Sequence, residues 1–335
     1  MKVVHNIKMM KRITILTKSP QSKNNPNISY FGIKNYFKNF IHNIKNNIQQ
    51  KRTINGPDSV LANLNKGLRS IKEKNNLNPT IYSVNPNVGV LSDINALIWA
   101  IKAKENQKIY KLIAGPNLVV LPSDNNSILC SESIDIVVTP CKWVSDLYCF
   151  IAPQLKSRIK EWPVGIDTEY WKPSTGSTRN KWIIYDKSEY GGKEIVLLVE
   201  SELVSRGIKY QKIVYGSYSP EEYKKLLNKA SAMIVVSPSE SQGLAQFEAW
   251  SCNVPTLIWD RSFWKSNDGS FEWIGASSSP YLSVFCGKKF IDSNDFSNKL
   301  DEFIDQLISY TPRDYILSNF TLEICAKKYV DLFID

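Results

Sequence analysis

The chain has 335 residues, 43% of them hydrophobic and 22% charged, with 15 Gly and 16 Pro, which excludes disordered and fibrous classes and gives room for two domains at roughly 100–200 residues each. The longest apolar runs, Asn95–Ala103 and Ala232–Val236, fall short of the ~18–20 residues of a membrane span, and Ile13–Leu16 falls short of the ~7–15 residues of a signal-peptide core, so the expected compartment is the cytosol. The net charge of +10 is uneven: residues 1–76 hold 15 Lys and Arg against Asp58 and Glu73, while the remainder holds 27 against 30 acids, a pattern that suits either an anionic partner for the N-terminal segment or a plain solvated basic surface.

Lys11–Thr17 reads as a first strand, with Met10 as an alternative start and the first nine residues as an extension. Tyr36, Phe37, Phe40, Ile41, Ile44 and Ile48 follow helical spacing, with Lys38 and Lys45 on the polar face, so an amphipathic basic helix is expected there. Asn55–Ser59 is a turn entering a helix through Val60, Leu64 and Leu68, with Asp58 or Ser59 as N-cap. Thr80–Val84 and Lys111–Ile113 are strand-like, Ile94–Ala103 helical, and Ile134–Val138 a buried strand followed by the helix Lys142–Phe150. This alternation predicts βαβ units and a parallel sheet.

The pattern breaks over Glu161–Pro173, rich in Pro, Gly and Trp, where the linker is placed, dividing the chain into domains 1–165 and 166–335. Beyond it Trp182–Tyr185, Glu194–Glu200, Tyr210–Tyr215, Met233–Val236 and Pro255–Trp259 read as strands, and Pro220–Ala230, Gln246–Ser251 and Ser297–Tyr310 as helices. The six cysteines form no C-x-x-C pair and the histidines are His5 and His42, so neither a zinc site nor a disulfide framework is expected.

The most informative segment runs from Ala232 to Asp260. A buried strand leads through Pro238 to a loop carrying Glu240, Gly243 lets the backbone approach a ligand, and a helix follows through Glu248. Ligands of an open parallel sheet gather at the carboxyl ends of its strands, and a helix start there favours a diphosphate. Glu240 in the loop and Glu248 in the first helical turns can border one pocket, where carboxylates accept hydrogen bonds from sugar hydroxyls.

This segment resembles the E-x7-E signature of glycosyltransferase family 4, retaining enzymes of the α/β class with two Rossmann-like domains facing across a cleft (GT-B). Ser133–Val144 resembles that family's strand and helix before the linker, Trp162–Pro173 its linker strand, Lys181–Lys193 its basic phosphate segment, Phe320–Tyr329 its closing helix and Asn55–Leu68 its N-domain glycine-rich loop and helix. The closing helix, about 319–335, would pack back toward the N-terminal domain.

By that resemblance Glu240 would bind hydroxyls of the donor sugar and Glu248 the ribose, with Ser241, Gln242, Gly243, Leu244 and Gly216 completing the donor side. Lys187 and Lys193 stand where the family has its phosphate-binding Arg and Lys, and would meet the charge of the departing diphosphate. Gly56 and Pro57 fall on the acceptor side. No acceptor-site His is matched, and Asp93 is the substitute. The implied reaction is transfer of a glycosyl group from a nucleoside diphosphate sugar, without a metal or cofactor, which accords with the lack of Asp-x-Asp. The expected acceptor is a glycan or lipid-linked glycan, with peripheral contact to an anionic membrane. A nucleic-acid glycosyltransferase using the basic segment ranks second, and a catalytically silent nucleotide-sugar-binding protein is a third reading.

Overall fold

The computed structural model describes residues 12–21, 56–266 and 268–334. The expected extension and the amphipathic helix at Tyr36–Ile48 lie outside the described residues.

Six strands, Ile13–Leu16 (β1), Asn75–Leu77 (β2), Asn87–Val90 (β3), Lys111–Ala114 (β4), Ile136–Thr139 (β5) and Ile159–Glu161 (β6), pair in parallel in the order β2-β1-β3-β4-β5-β6. Every residue of β1, β3 and β5 is buried, as a parallel sheet covered on both faces requires. Gly56–Ser70 (α1), Ile94–Glu105 (α2) and Lys142–Ile151 (α3) supply cover for this sheet.

A second parallel sheet is built from Lys181–Asp186 (β7), Tyr210–Val214 (β8), Ala230–Val236 (β9), Thr256–Trp259 (β10) and Gly287–Phe290 (β13), in the order β13-β10-β9-β7-β8. Helices Lys193–Ser205 (α4), Pro220–Leu227 (α5), Leu244–Ser251 (α6), Ser293–Asp305 (α7) and Pro312–Asn319 (α8) pack around it. Between β10 and β13 a short antiparallel hairpin, Phe263–Lys265 (β11) and Glu272–Ile274 (β12), leaves this half and leans on α3. Trp264 lies 6.3 Å from Trp143, and Trp273 lies 5.4 Å from Phe150.

The last helix, Leu322–Asp331 (α9), crosses back. Its Ala326 and Tyr329, with Phe333 just beyond, are buried in one cluster with Ile13, Ile15, Val60 and Leu64 of the first half. The crossing is close because α1 carries Gly67 where it meets α9: a Cβ there would press on the Leu322 carbonyl and come within 2.8 Å of the Ala326 Cβ. Trp162 Nε1 donates to the Cys325 carbonyl at 2.8 Å and its ring packs on Tyr329.

Several expectations need correction. Thr80–Val84 is not a strand: Ile81–Ser83 forms a single 3₁₀ turn, and the strand is the following Asn87–Val90. Glu194–Glu200 lies within α4. Its buried residues Ile195, Val196, Val199 and Leu203 follow helical spacing, while Leu197 and Val204 stay exposed. α1 already begins at Gly56, which places Asp58 and Ser59 inside its first turn rather than at the cap. The strand before the Glu240 loop ends at Val236 rather than Pro238, α5 ends at Leu227 because Ala230 opens β9, and the helix expected at Ser297–Tyr310 is set earlier, at Ser293–Asp305, capped by Asp292. All six cysteines are free thiols.

Candidate functional site

In the second sheet β7 is flanked by β8 on one side and β9 on the other, so the strand order reverses between β7 and β9. That reversal opens a crevice at the strand carboxyl ends. Lys187 directly follows β7, and Glu240 sits in the loop that follows β9. The two side chains meet, with Lys187 Nζ 2.8 Å from Glu240 Oε1. The same carboxylate oxygen accepts from Ser237 Oγ at 2.9 Å. Lys187 also stands over the Tyr215 ring, 4.6 Å from its centroid. Burial pulls the ammonium toward neutrality, but the Glu240 carboxylate outweighs it and holds the Lys187 pKa above its ordinary value.

These groups open onto a cavity of about 660 Å³ between the two halves. Its first-half wall is α1, through Gly56, Pro57, Ser59, Asn63 and Lys66, together with Asn117 from the loop after β4. Its second-half wall holds Lys187, Gly216, the stretch Glu240–Gln246 and Glu248. Lys66 pairs with Asp167 at 3.0 Å, and Asn63 Nδ2 donates to the Gly165 carbonyl at 2.9 Å, fastening α1 to the connecting segment.

Gly243 is the N-cap of α6 with φ of +69°, a conformation costly for a residue with a Cβ. Among the described residues no side chain caps this helix, so its opening amides are available to an anion in the cavity. Glu248, one turn further on, keeps partial access to solvent yet has protein on nearly every side. Burial pushes its carboxyl up to about 8. Among the described residues its carboxyl makes no hydrogen bond. Tyr170, Tyr218 and Tyr223 stand close enough to feel its charge, and all three line the cavity.

The structure therefore brings Glu240, Ser241, Gln242, Gly243, Leu244, Glu248, Lys187, Gly216, Gly56 and Pro57 to one cavity. It does not bring Lys193 or Asp93 there. The chain turns through Gly191 and Gly192, both at positive φ, and Lys193 emerges exposed as the first residue of α4. Asp93 caps α2, its carboxylate accepting from the Ala96 amide at 2.8 Å. Sequence reasoning missed Asn117 and the tyrosines of the cavity wall. The Tyr-rich run after β8, Tyr215-Gly-Ser-Tyr218, was a usable signal, whereas nothing local marks Asn117.

No protein-family model matches the chain, and no curated protein is similar to it at a meaningful level. Solved structures are similar to it along nearly its whole length. A lipopolysaccharide outer core galactosyltransferase, WaaB, aligns over 96% of this chain and 99% of its own with a TM-score of 0.54 at 12% identity. AviGT4, a glycosyltransferase involved in avilamycin A biosynthesis, aligns over 96% and 97% with a TM-score of 0.54 at 11% identity. A glycosyltransferase from Rickettsia africae ESF-5 aligns over 96% and 98% with a TM-score of 0.53 at 13% identity. The fold is GT-B. In this GT-B chain the Lys187–Glu240 pair and the opening turn of α6 lie on the cleft-facing end of the second sheet.

Proposed function

We propose that this chain is a glycosyltransferase of the family 4 type, moving a sugar with retention from a nucleoside diphosphate sugar, without a metal. The observation that carries this reading is the convergence of Glu240, Glu248 and Lys187 on one cleft beside the uncapped start of α6. Glu240 accepts hydrogen bonds from donor-sugar hydroxyls, and Glu248, whose carboxyl makes no hydrogen bond among the described residues, accepts them from the ribose. Lys187 and the α6 amides take the charge that builds on the diphosphate as the anomeric C–O bond breaks and the electron pair leaves with the phosphate oxygen. For Lys187 this means moving from Glu240 to the diphosphate, so donor binding exchanges one ion pair for another.

Acceptor binding falls to the first half, where α1 and Asn117 face the donor groups across the cavity. A carbohydrate acceptor, free or lipid-linked, suits the Ser59, Asn63, Lys66 and Asn117 groups on this wall, and the name of WaaB, a lipopolysaccharide outer core galactosyltransferase, favours the same class. Among the described residues no helix is long and apolar enough to cross a membrane.

The test is a thermal-shift and hydrolysis screen with UDP-, GDP-, ADP- and dTDP-sugars, with Glu248→Ala as control. A ligand at 100 times its Kd stabilises by about 2.7 kcal/mol. A shift with one nucleotide sugar, lost in the variant, supports the reading. No shift with any of the four sinks it.

A further inference from the structure

Glu240 is the residue on which the proposed donor chemistry turns, yet it sits in a loop, outside any strand or helix that would fix its backbone. Two hydrogen bonds do so instead. Its amide donates to the Ser277 carbonyl at 2.8 Å, within its own half of the molecule. Its carbonyl accepts from Trp143 Nε1 at 2.8 Å, and Trp143 belongs to α3 in the other half. We infer that Trp143 is a positioning residue: its indole N–H, reaching across the seam between the halves, sets the position of Glu240 against the donor sugar. The inference rests on the donor-site reading given above.

Trp143 is suited to this task. It is 8% exposed, and an indole N–H so placed needs an acceptor; the Glu240 carbonyl is the one it finds. The ring cannot easily swing away, because Trp264 of the hairpin packs against it. The Tyr281 hydroxyl, from the second half, donates to the Pro140 carbonyl just before α3 at 2.5 Å, anchoring the start of the same helix. A second bond across the seam acts on the same loop, the Val164 amide donating to Gln242 Oε1 at 3.3 Å. The loop from Glu240 to Gly243 thus takes its shape from both halves. A carboxylate that must meet particular hydroxyls loses much of its effect when displaced by about 1 Å. Glu248, on the helix itself, does not share this dependence, so loss of the indole N–H should weaken recognition of the sugar and spare that of the nucleotide.

The experiment titrates the full chain with UDP-glucose, GDP-mannose, ADP-glucose and dTDP-glucose and with the matching free diphosphates, and follows the pair that binds. Two replacements at position 143 remove the N–H: phenylalanine, and benzothienylalanine, which keeps the bicyclic shape and so protects against a folding failure. Both should lower the preference for sugar nucleotide over free diphosphate by about 5–30-fold, the worth of one or two kcal/mol, with the diphosphate affinity unchanged within twofold. Introduced into Glu240→Ala, Trp143→Phe should cost nothing further, since residues acting through one another are not additive. Trp273→Phe, which perturbs the same seam at Phe150 rather than at Trp143, should keep the preference. An unchanged preference at position 143 overturns the inference, as does a full loss in the Glu240→Ala background or an equal loss in Trp273→Phe. If the unaltered protein binds none of the four pairs, the donor-site reading itself fails and the inference falls with it.

Discussion

Lys187 and Glu240 face each other from the ends of adjacent strands, Nζ to Oε1 2.8 Å, and both side chains are more than four-fifths buried. The pair occupies the point at which the strand order of the second sheet reverses. Removing either partner strands the other in a partly desolvated crevice. Lys187→Met should therefore destabilise the fold by about 1–3 kcal/mol and reduce glycosyl transfer by about 10²–10³-fold through loss of a cation at the leaving group. Lys187→Arg should retain most of the stability. Chemical denaturation read beside turnover checks both numbers, and wild-type turnover in Lys187→Met would refute the assignment.

Glu248 titrates from an ordinary 4.5 in the unfolded chain to about 8 in the folded one. The folded state therefore binds more protons in between, and unfolding releases them. Stability should fall as pH rises from about 4.5 toward 8 and level off above that, because this carboxyl is raised rather than depressed. Glu248→Gln should flatten that share of the profile, measured as the difference in Tm between the variant and the parent across pH 5–9. A ribose diol donating to the carboxylate favours its charged form, so nucleotide affinity should increase over the same range in the parent and not in Glu248→Gln. Parallel profiles for the two proteins would argue against a perturbed Glu248.

Gly67→Ala sets two effects against each other. Alanine in a helix interior is favoured over glycine by about 1 kcal/mol. The added methyl, however, would meet the Leu322 carbonyl and Ala326 of α9, and backbone cannot give way as a flexible side chain does. The steric term should win, with a net loss of about 1–3 kcal/mol and a lower Tm. A stabilised Gly67→Ala protein would mean that α9 does not sit on α1 as described.

Metal dependence offers a simpler check. The proposed chemistry places Lys187 and helix amides where a divalent ion would otherwise neutralise the diphosphate, so EDTA should leave transfer unchanged. Activity restored only by Mn²⁺ or Mg²⁺ would overturn that part of the mechanism.

The sequence was most legible where one physical signal governed a segment. Ile94–Ala103 was legible as a helix, although Asp93 before it turned out to be its cap and not an acceptor-site group; the strand before Glu240 is buried along almost its whole length, and the Glu240–Glu248 spacing follows from one loop and one helix start. Glu194–Glu200 misled because seven residues dominated by Ile, Val and Leu suit a buried strand as well as a helix, and only the burial of Val199 and Leu203 against the exposure of Leu197 separates the two. Thr80–Val84 carries the β-branched and aromatic residues of a strand, but the neighbouring Asn87–Val90 took the sheet position beside β1. Lys187 and Lys193 looked equivalent in a basic loop; the two glycines before α4 separated them. The partnership of Trp143 with Glu240 spans 97 positions, and no local pattern encodes a contact of that range.

The return of α9 to the first sheet also bears on how the chain is made. Ala326, Tyr329 and Phe333 fill the same cluster as Ile13 and Ile15, so the first half cannot complete its core while the ribosome is still adding the second. Until α9 has been made, the apolar faces of β1 and α1 lack their final cover, the kind of surface that draws chaperones or neighbouring chains. Expression of the N-terminal half alone, cut at the connecting segment, should thus give an aggregating product, while a fragment supplied with α9 in trans should recover solubility.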